Sequence, residues 1–190
     1  MLLPLLALAA FNFGTAQEES IRFGAKAGLN IANLVGDADE TNDAKIGFNF
    51  GAVVEIPVTE KFAVQPELLF STQGVKDDSE GTDVTLKLNY INIPLMAKYY
   101  VAEGFSLQAG PQIGILVTAD VEAQDVEVDV KDEISSIDFG LNFGAGYQLA
   151  SGIFFDARYN LGLTSVNDFE GDDDFSQKNS VISISLGYKF

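Results

Sequence analysis

The sequence predicts an all-β protein: an eight-stranded antiparallel up-and-down transmembrane β-barrel. Its lumen is polar, its periplasmic turns are short and its outer loops are long and acidic. Three observations predict it. Apolar and polar residues alternate strictly over segments of ten or more residues, the period of half-buried strands. The connections alternate short and long, as between the tight turns and long loops of outer-membrane barrels. The glycines fall on the polar face of the strands, 11 of the 18 in the chain.

The first sixteen residues, MLLPLLALAAFNFGTA, stand apart from this pattern. The run Leu2 to Phe11 has the length of a signal-peptide core and is too short to span a bilayer as a helix. Gly14, Thr15 and Ala16 supply small residues for cleavage, although no basic residue precedes the run. Residues 1–16 are therefore expected to be a cleaved signal peptide and residues 17–190 the barrel domain. No later stretch approaches eighteen continuous apolar residues.

The strands follow in order. Segment 21–32 sets Ile21, Phe23, Ala25, Ala27, Leu29 and Ile31 against Arg22, Gly24, Lys26, Gly28 and Asn30. Segments 46–56, 62–72, 105–118, 136–149, 153–164 and 180–190 repeat the alternation. Segment 84–101 changes phase: Val84, Leu86, Leu88 and Tyr90 share one parity, and Ile91, Ile93, Leu95, Ala97 and Tyr99 take the other. A bulge near Leu88 to Asn92 would re-phase it. Short connections are expected at 57–61, 102–104 and 150–152, and long ones near 34–45, 73–83, 119–135 and 165–178. In the third of these, Val121, Val126, Val128 and Val130 alternate with acids, which reads as strands extending past the membrane into a surface hairpin.

The interior of an eight-stranded barrel is just wide enough to fill with side chains. Glycines there leave room for long polar neighbours and permit sharp coiling of the strands. The polar face is thus expected inside and the apolar face in lipid, the reverse of a soluble lipid-binding barrel. Aromatic residues near the strand ends form candidate girdles. Phe23, Phe62, Tyr99, Phe105, Tyr147, Phe155 and Phe190 lie towards the short turns, and Phe48, Phe70 and Phe139 towards the loops.

The inward parity collects nine charges: Arg22, Lys26, Glu55, Glu67, Lys98, Asp138, Asp156, Arg158 and Lys189. Five bases against four acids should pair into a network holding the lumen shut. The alternative is a narrow polar path or a small-ligand cavity. Glu67 and Asp156 also have the residue types of a hydrolytic carboxylate pair, but their mixed-sign neighbours explain them as well.

Composition excludes much else. Eleven basic residues face 28 acidic ones, for a net charge of −17, which argues against nucleic acid. There is no Cys and no His, so thiol chemistry and the usual general base of Ser hydrolases are missing. No enzyme activity and no cofactor are expected. The four long connections hold sixteen of the seventeen net negative charges. Their densest clusters, Asp37, Asp39 and Glu40, and Asp172, Asp173 and Asp174, are weak candidates for divalent cations, which choose carboxylate oxygens. Such cations could bridge to lipopolysaccharide, which the acidic loops would otherwise repel.

Several blocks carry a resemblance: RFGAKAGLNIANL (22–34), PELLFSTQG (66–74), NYINIPLMAKYY (89–100), FSLQAGPQIGIL (105–116), FGLNFGAGYQL (139–149) and ARYNLGLTSV (157–166). Together they cover nearly all of 17–190. The chain resembles the PorT-like "porin family" outer-membrane β-barrel proteins of Gram-negative bacteria. The resemblance implies the barrel and the outer membrane but no conducting activity, and the namesake implies a role beside a protein-secretion apparatus. A last strand with Leu186, Tyr188 and Phe190 on one face resembles the signal read by the outer-membrane assembly machinery.

Two classes of function follow. One is a structural or interaction scaffold presenting acidic loops to a protein partner. The other is a small-solute porin or ligand-binding transport barrel.

Overall fold

A computed structural model describes residues 20–36, 43–77, 84–123, 126–166 and 177–190. Among these residues nine strands appear: β1 (Arg22–Gly36), β2 (Asp43–Thr59), β3 (Phe62–Asp77), β4 (Val84–Tyr100), β5 (Phe105–Ala123), β6 (Val126–Asp129), β7 (Ile137–Gln148), β8 (Ile153–Gly162) and β9 (Gln177–Lys189). Among the described residues the only helical segment is a 3-10 turn, Lys131–Glu133. Each strand but β6 pairs antiparallel with its neighbours around a ring. β1 meets both β2 and β9, and β4 meets both β3 and β5. Eight strands therefore close the barrel, leaving it no open edge.

The alternation in the sequence maps onto the wall. Leu29, Phe48, Leu107, Phe143 and Ile184 face outward and are exposed, whereas Lys26, Asn49, Gln108, Asn142 and Ser185 face inward and are buried. This is a barrel with a lipid-facing exterior and a polar interior, as expected. Phe48, Phe50 and Phe70 form one aromatic group on the outer surface, with centroids 5.5–6.2 Å apart. The periplasmic turns are tight, with Gly104 (φ 72°) and Gly152 (φ 91°) in the left-handed region that favours glycine.

Inward glycines sit where strands approach closely. A Cβ on Gly51 would lie 2.0 Å from the Leu68 carbonyl oxygen, and one on Gly110 would lie 2.0 Å from that of Leu95.

Two expectations are corrected. First, parts of the long connections are strand. A membrane-crossing strand needs about 9–11 residues, yet β4 has 17 and β5 has 19. Their outer ends stand beyond the apolar belt, and β6 folds back on β5 through Val121↔Val128 and Ala123↔Val126. This is the hairpin that the valine–acid alternation indicated.

Second, β4 is not re-phased. The irregularity lies between the pairs Asn89↔Thr118 and Tyr90↔Leu116, so the extra residue, Val117, is on β5. β4 keeps its parity, and Leu88 and Tyr90 point into the lumen with Asn92, Met96 and Lys98. A bulge moves whichever strand carries the surplus residue, which the sequence of β4 alone does not reveal.

Candidate functional site: the barrel lumen

All nine charged residues expected inside lie along the lumen, in three groups. At the periplasmic end Glu55, from β2, is the hub. Its Oε2 accepts from Lys98 Nζ at 2.6 Å, from Tyr100 Oη at 2.9 Å and from Lys189 Nζ. Its Oε1 lies 2.8 Å from Arg22 Nη2. Lys98 also donates to Gln65 Oε1 and Lys189 to Gln148 Oε1. Lys189 stands 4.6 Å from the centroid of the buried Phe154 ring.

One layer further in, Arg158 of β8 spans to Glu67 of β3. Nη1 donates to Oε2 at 2.9 Å and Nη2 to Oε1 at 2.7 Å. Lys26 of β1 adds a contact of 3.0 Å to Glu67 and one of 3.5 Å to Asp156. Asp156 also lies 3.3 Å from Arg158 Nε. Gln65 donates to Glu67 and Gln108 accepts from Arg158. Two acids and two bases are thus neutralised in a buried layer, whose carboxylates are held by cations on several sides. Nothing about Glu67 and Asp156 marks them as a hydrolytic pair.

Asp138 is apart from both groups. Its carboxylate accepts from Thr164 Oγ1 at 3.1 Å and Asn179 Nδ2 at 3.2 Å. Asn179 lies within 3.4 Å of Tyr90 Oη.

Between the ionic layer and Asp138 lies a belt of amides and hydroxyls. Asn30 donates to Ser71 Oγ at 2.9 Å, Asn49 to Asn30 Oδ1 at 2.7 Å and Asn142 to Gln112 Oε1 at 3.2 Å. A cavity of about 30 Å³ lies in this belt, lined by Asn92, Asn142, Asn160 and Ser183 among others. It is roomy enough for about one or two waters.

Above Asp138 the lumen turns apolar. Leu34, Val75, Leu88, Tyr90, Leu116, Ala119, Ile134 and Val166 form one buried cluster from four strands, β1, β3, β4 and β5, and the segments before β7 and after β8. The sequence reading missed this cap. It assigned apolar residues to the lipid face, and Leu88 and Tyr90 are inward because β4 keeps one parity throughout, sharing it with Asn92, Met96 and Lys98, while the bulge re-phases β5. The polar partners Gln65, Gln148 and Tyr100 were legible because each shares the parity of an inward charge on its own strand, and Gln108 because it shares the parity of Gly110 and Gly114.

Leu186, Tyr188 and Phe190 lie together on the outer face of β9 and are exposed. The acid clusters at 37–40 and 172–174, and the segment 1–16, lie outside the described residues. Among the described residues no group of three or more acids is placed to hold a metal ion.

A closed ring of tilted strands with lipid outside and polar side chains inside defines an integral outer-membrane barrel. The family profile described as "Outer membrane protein beta-barrel domain" matches residues 15–168, and the chain belongs to that family. Its place is the outer membrane. Two solved structures share the fold. Neisserial surface protein A (NspA) has 14% sequence identity and a TM-score of 0.58, with 90% of this chain and 100% of that chain covered. Ail, the attachment invasion locus protein of Yersinia pestis, solved in complex with the heparin analogue sucrose octasulfate, has 15% identity and a TM-score of 0.54. That match covers 90% of this chain and 99% of that one. No curated protein matches.

Proposed function

We propose that this protein is a closed outer-membrane scaffold that presents four acidic connections to the exterior and to a protein partner. The observation that carries this reading is the filling of the lumen. Among the described residues, two ion-pair layers stand at one end and an apolar cap at the other, with a cavity of about 30 Å³ between them. An apolar constriction resists wetting, and a satisfied ion-pair layer resists the passage of solutes. The same reading makes the protein a non-enzyme, since the inward carboxylates Glu55, Glu67 and Asp156 face cations and not a cleft.

The remaining roles belong to this proposal. Residues 1–16 are a signal peptide, and 17–190 is the mature domain. Leu186, Tyr188 and Phe190 are the surface read by the assembly machinery. Asp37, Asp39, Glu40, Asp172, Asp173 and Asp174 bridge to lipopolysaccharide through divalent cations. A sulfated glycan analogue such as the one bound by Ail is a poor partner here, because the connections of this chain carry a net charge of the same sign as the sulfates. The PorT-like resemblance places a secretion apparatus among the candidate partners.

The test is single-channel conductance of the refolded protein in a planar bilayer, beside Arg158→Ala and Glu67→Ala. A silent bilayer, with folding shown by heat-modifiable migration on a denaturing gel, is the expected result. Discrete openings in the wild type would replace the scaffold with a small-solute transport barrel.

A further inference from the structure

Beyond the apolar belt the wall keeps one free edge. β6 ends the sheet, and among the described residues β5 is its single neighbour. The phase of that pairing fixes which backbone groups stay open. Val130 N–H donates to the Ala119 carbonyl at 2.9 Å, and the register runs on through Asp129↔Asp120, Val128↔Val121, Glu127↔Glu122 and Val126↔Ala123. Bonded and non-bonded pairs alternate along an antiparallel ladder. Val126 and Val128 therefore turn their N–H and C=O groups to β5, and Glu127 and Asp129 turn theirs away from it. Among the described residues those four outward groups meet no hydrogen-bond partner.

The two faces of β6 differ in chemistry. Val126, Val128 and Val130 share the face of Ala119, Val121 and Ala123, the face that carries the apolar cap, and Val130 packs against that cap. Val126 and Val128 stand beyond it and are 61% and 53% exposed. Glu127 and Asp129 lie on the opposite face, beside Glu122 and Asp120 of β5. Among the described residues Lys87 is the one cation within ion-pair distance of these four acids, 2.6 Å from Glu122 and 3.3 Å from Glu127. The edge thus joins open backbone groups to an uncovered valine row on one side and a surplus of negative charge on the other.

From this arrangement we infer that the outer edge of β6 receives an added strand: an extended segment of a protein partner in which basic and apolar residues alternate. Residues of that segment opposite Glu127 and Asp129 exchange backbone hydrogen bonds with them. Cross-strand neighbours share a face, so those residues are the lysines or arginines, set beside the carboxylates. The residues between them are apolar and cover Val126 and Val128. A second copy of β6 does not fit, because two copies that share their valine face set acid against acid on the other. A short, charged edge resists indiscriminate pairing. Here the charge has one sign, so it turns away acidic strands and admits basic ones. The inference rests on the scaffold reading, whose partner it describes, and the lumen takes no part in it.

The test uses the full refolded protein in a zwitterionic detergent and a short, end-blocked fluorescent peptide of alternating valine and lysine. Anisotropy reads binding, with protein-free micelles as the blank, and NMR hydrogen exchange reads the Glu127 and Asp129 amides. The peptide is expected to bind and to slow exchange at both amides at least tenfold, and a valine–glutamate peptide is expected not to bind. Methylation of the lysine backbone nitrogens should abolish binding, whereas methylation of the valine nitrogens, on the far edge, should leave it. Glu127→Pro removes an outward N–H and no bond to β5, as an edge strand tolerates. With folding shown by heat-modifiable migration, it is expected to weaken binding at least tenfold, and more than Glu127→Gln does. Glu127→Lys with Asp129→Lys should exchange the preference for the valine–glutamate peptide. No binding by the wild type would overturn the site. Binding that survives both lysine methylation and Glu127→Pro would belong to charge attraction by the acidic exterior, and would also overturn it. So would a dimer of the protein alone that Glu127→Pro dissociates, since the edge would then serve a second copy. Conductance by the wild type would count against the closed scaffold and not against this edge.

Discussion

Arg158 and Glu67, ninety-one positions apart in the chain, meet across the lumen in a two-pronged pair of 2.9 and 2.7 Å. The pair ties β8 to β3, strands on distant parts of the ring, so it spans the interior and not merely one sheet edge. Planar guanidinium and carboxylate match in geometry, which makes such pairs the strong class of charged hydrogen bond. Lys26 and Asp156 complete the layer.

Removal of one partner should cost far more than removal of the layer. Glu67→Ala leaves Arg158 and Lys26 buried against Asp156 alone, and about 3–5 kcal/mol of stability is expected to be lost. The double change Glu67→Leu with Arg158→Met should be milder than Glu67→Ala, since Lys26 and Asp156 then balance each other. Urea unfolding in detergent, read by tryptophan-free near-UV and far-UV circular dichroism, ranks the variants.

The apolar cap should behave as a packed core. Leu88 is fully buried within it. Leu88→Ala is expected to cost about 2–5 kcal/mol in the same unfolding assay. A loss below about 1 kcal/mol would show that the outer lumen is loosely packed.

Glycines at close strand approaches should resist substitution more than those facing side chains. Gly51→Ala would place a methyl group 2.0 Å from the Leu68 carbonyl oxygen, whereas at Gly114 the nearest atom is the end of the Asn92 side chain. Refolded yield, read as heat-modifiable band intensity, is expected to collapse for Gly51→Ala and to remain substantial for Gly114→Ala.

The lipid face should reject charge by depth. Phe143, midway along β7, is exposed on the outer wall. Phe143→Arg is expected to cost about 2–4 kcal/mol in lipid vesicles, the range for a cation near the bilayer centre. Asp132→Arg, on the exposed 3-10 turn, is expected to change stability by under about 0.5 kcal/mol.

Beyond the apolar belt, the ribbon of β4 and β5 carries an exposed pair: Lys87 Nζ lies 2.6 Å from Glu122 Oε2. The hydrogen bond from Lys87 and its charge hold the Glu122 carboxyl below its ordinary 4.5. A lowered folded pKa contributes stability above the unfolded value, and that contribution is lost as pH falls through the folded value. NMR titration of Glu122 should show a midpoint below 4.5 that returns towards it in Lys87→Met. An unchanged midpoint in that variant would dissociate the shift from Lys87.

A Phe190 deletion addresses the chain end, where Leu186, Tyr188 and Phe190 share the outer face of β9. Reduced folded yield in cells, with unchanged refolding in detergent, is the outcome expected of an assembly signal. Equal yields in both would remove that role.

Strand period, glycine parity and inward charge were legible in the sequence, because side chains alternate across a strand whatever the rest of the molecule does. That alternation alone placed Lys26, Glu67, Asp156 and Arg158 on one side of the wall and Leu107 and Phe143 on the other. The partners within the lumen were not legible. Which cation meets which carboxylate depends on how strands far apart in sequence are staggered round the ring, and only closure sets that stagger. The same holds for the cap. Leu88 and Tyr90 look like lipid-facing residues by composition, yet β4 runs on without a bulge and keeps them on the inward parity of Asn92, Met96 and Lys98, the surplus residue falling on β5 instead. Asp138 likewise reads as one more inward charge, until the ring places every lysine and arginine out of its reach. Local periodicity thus determined the faces of the wall, and the tertiary register decided what meets inside it.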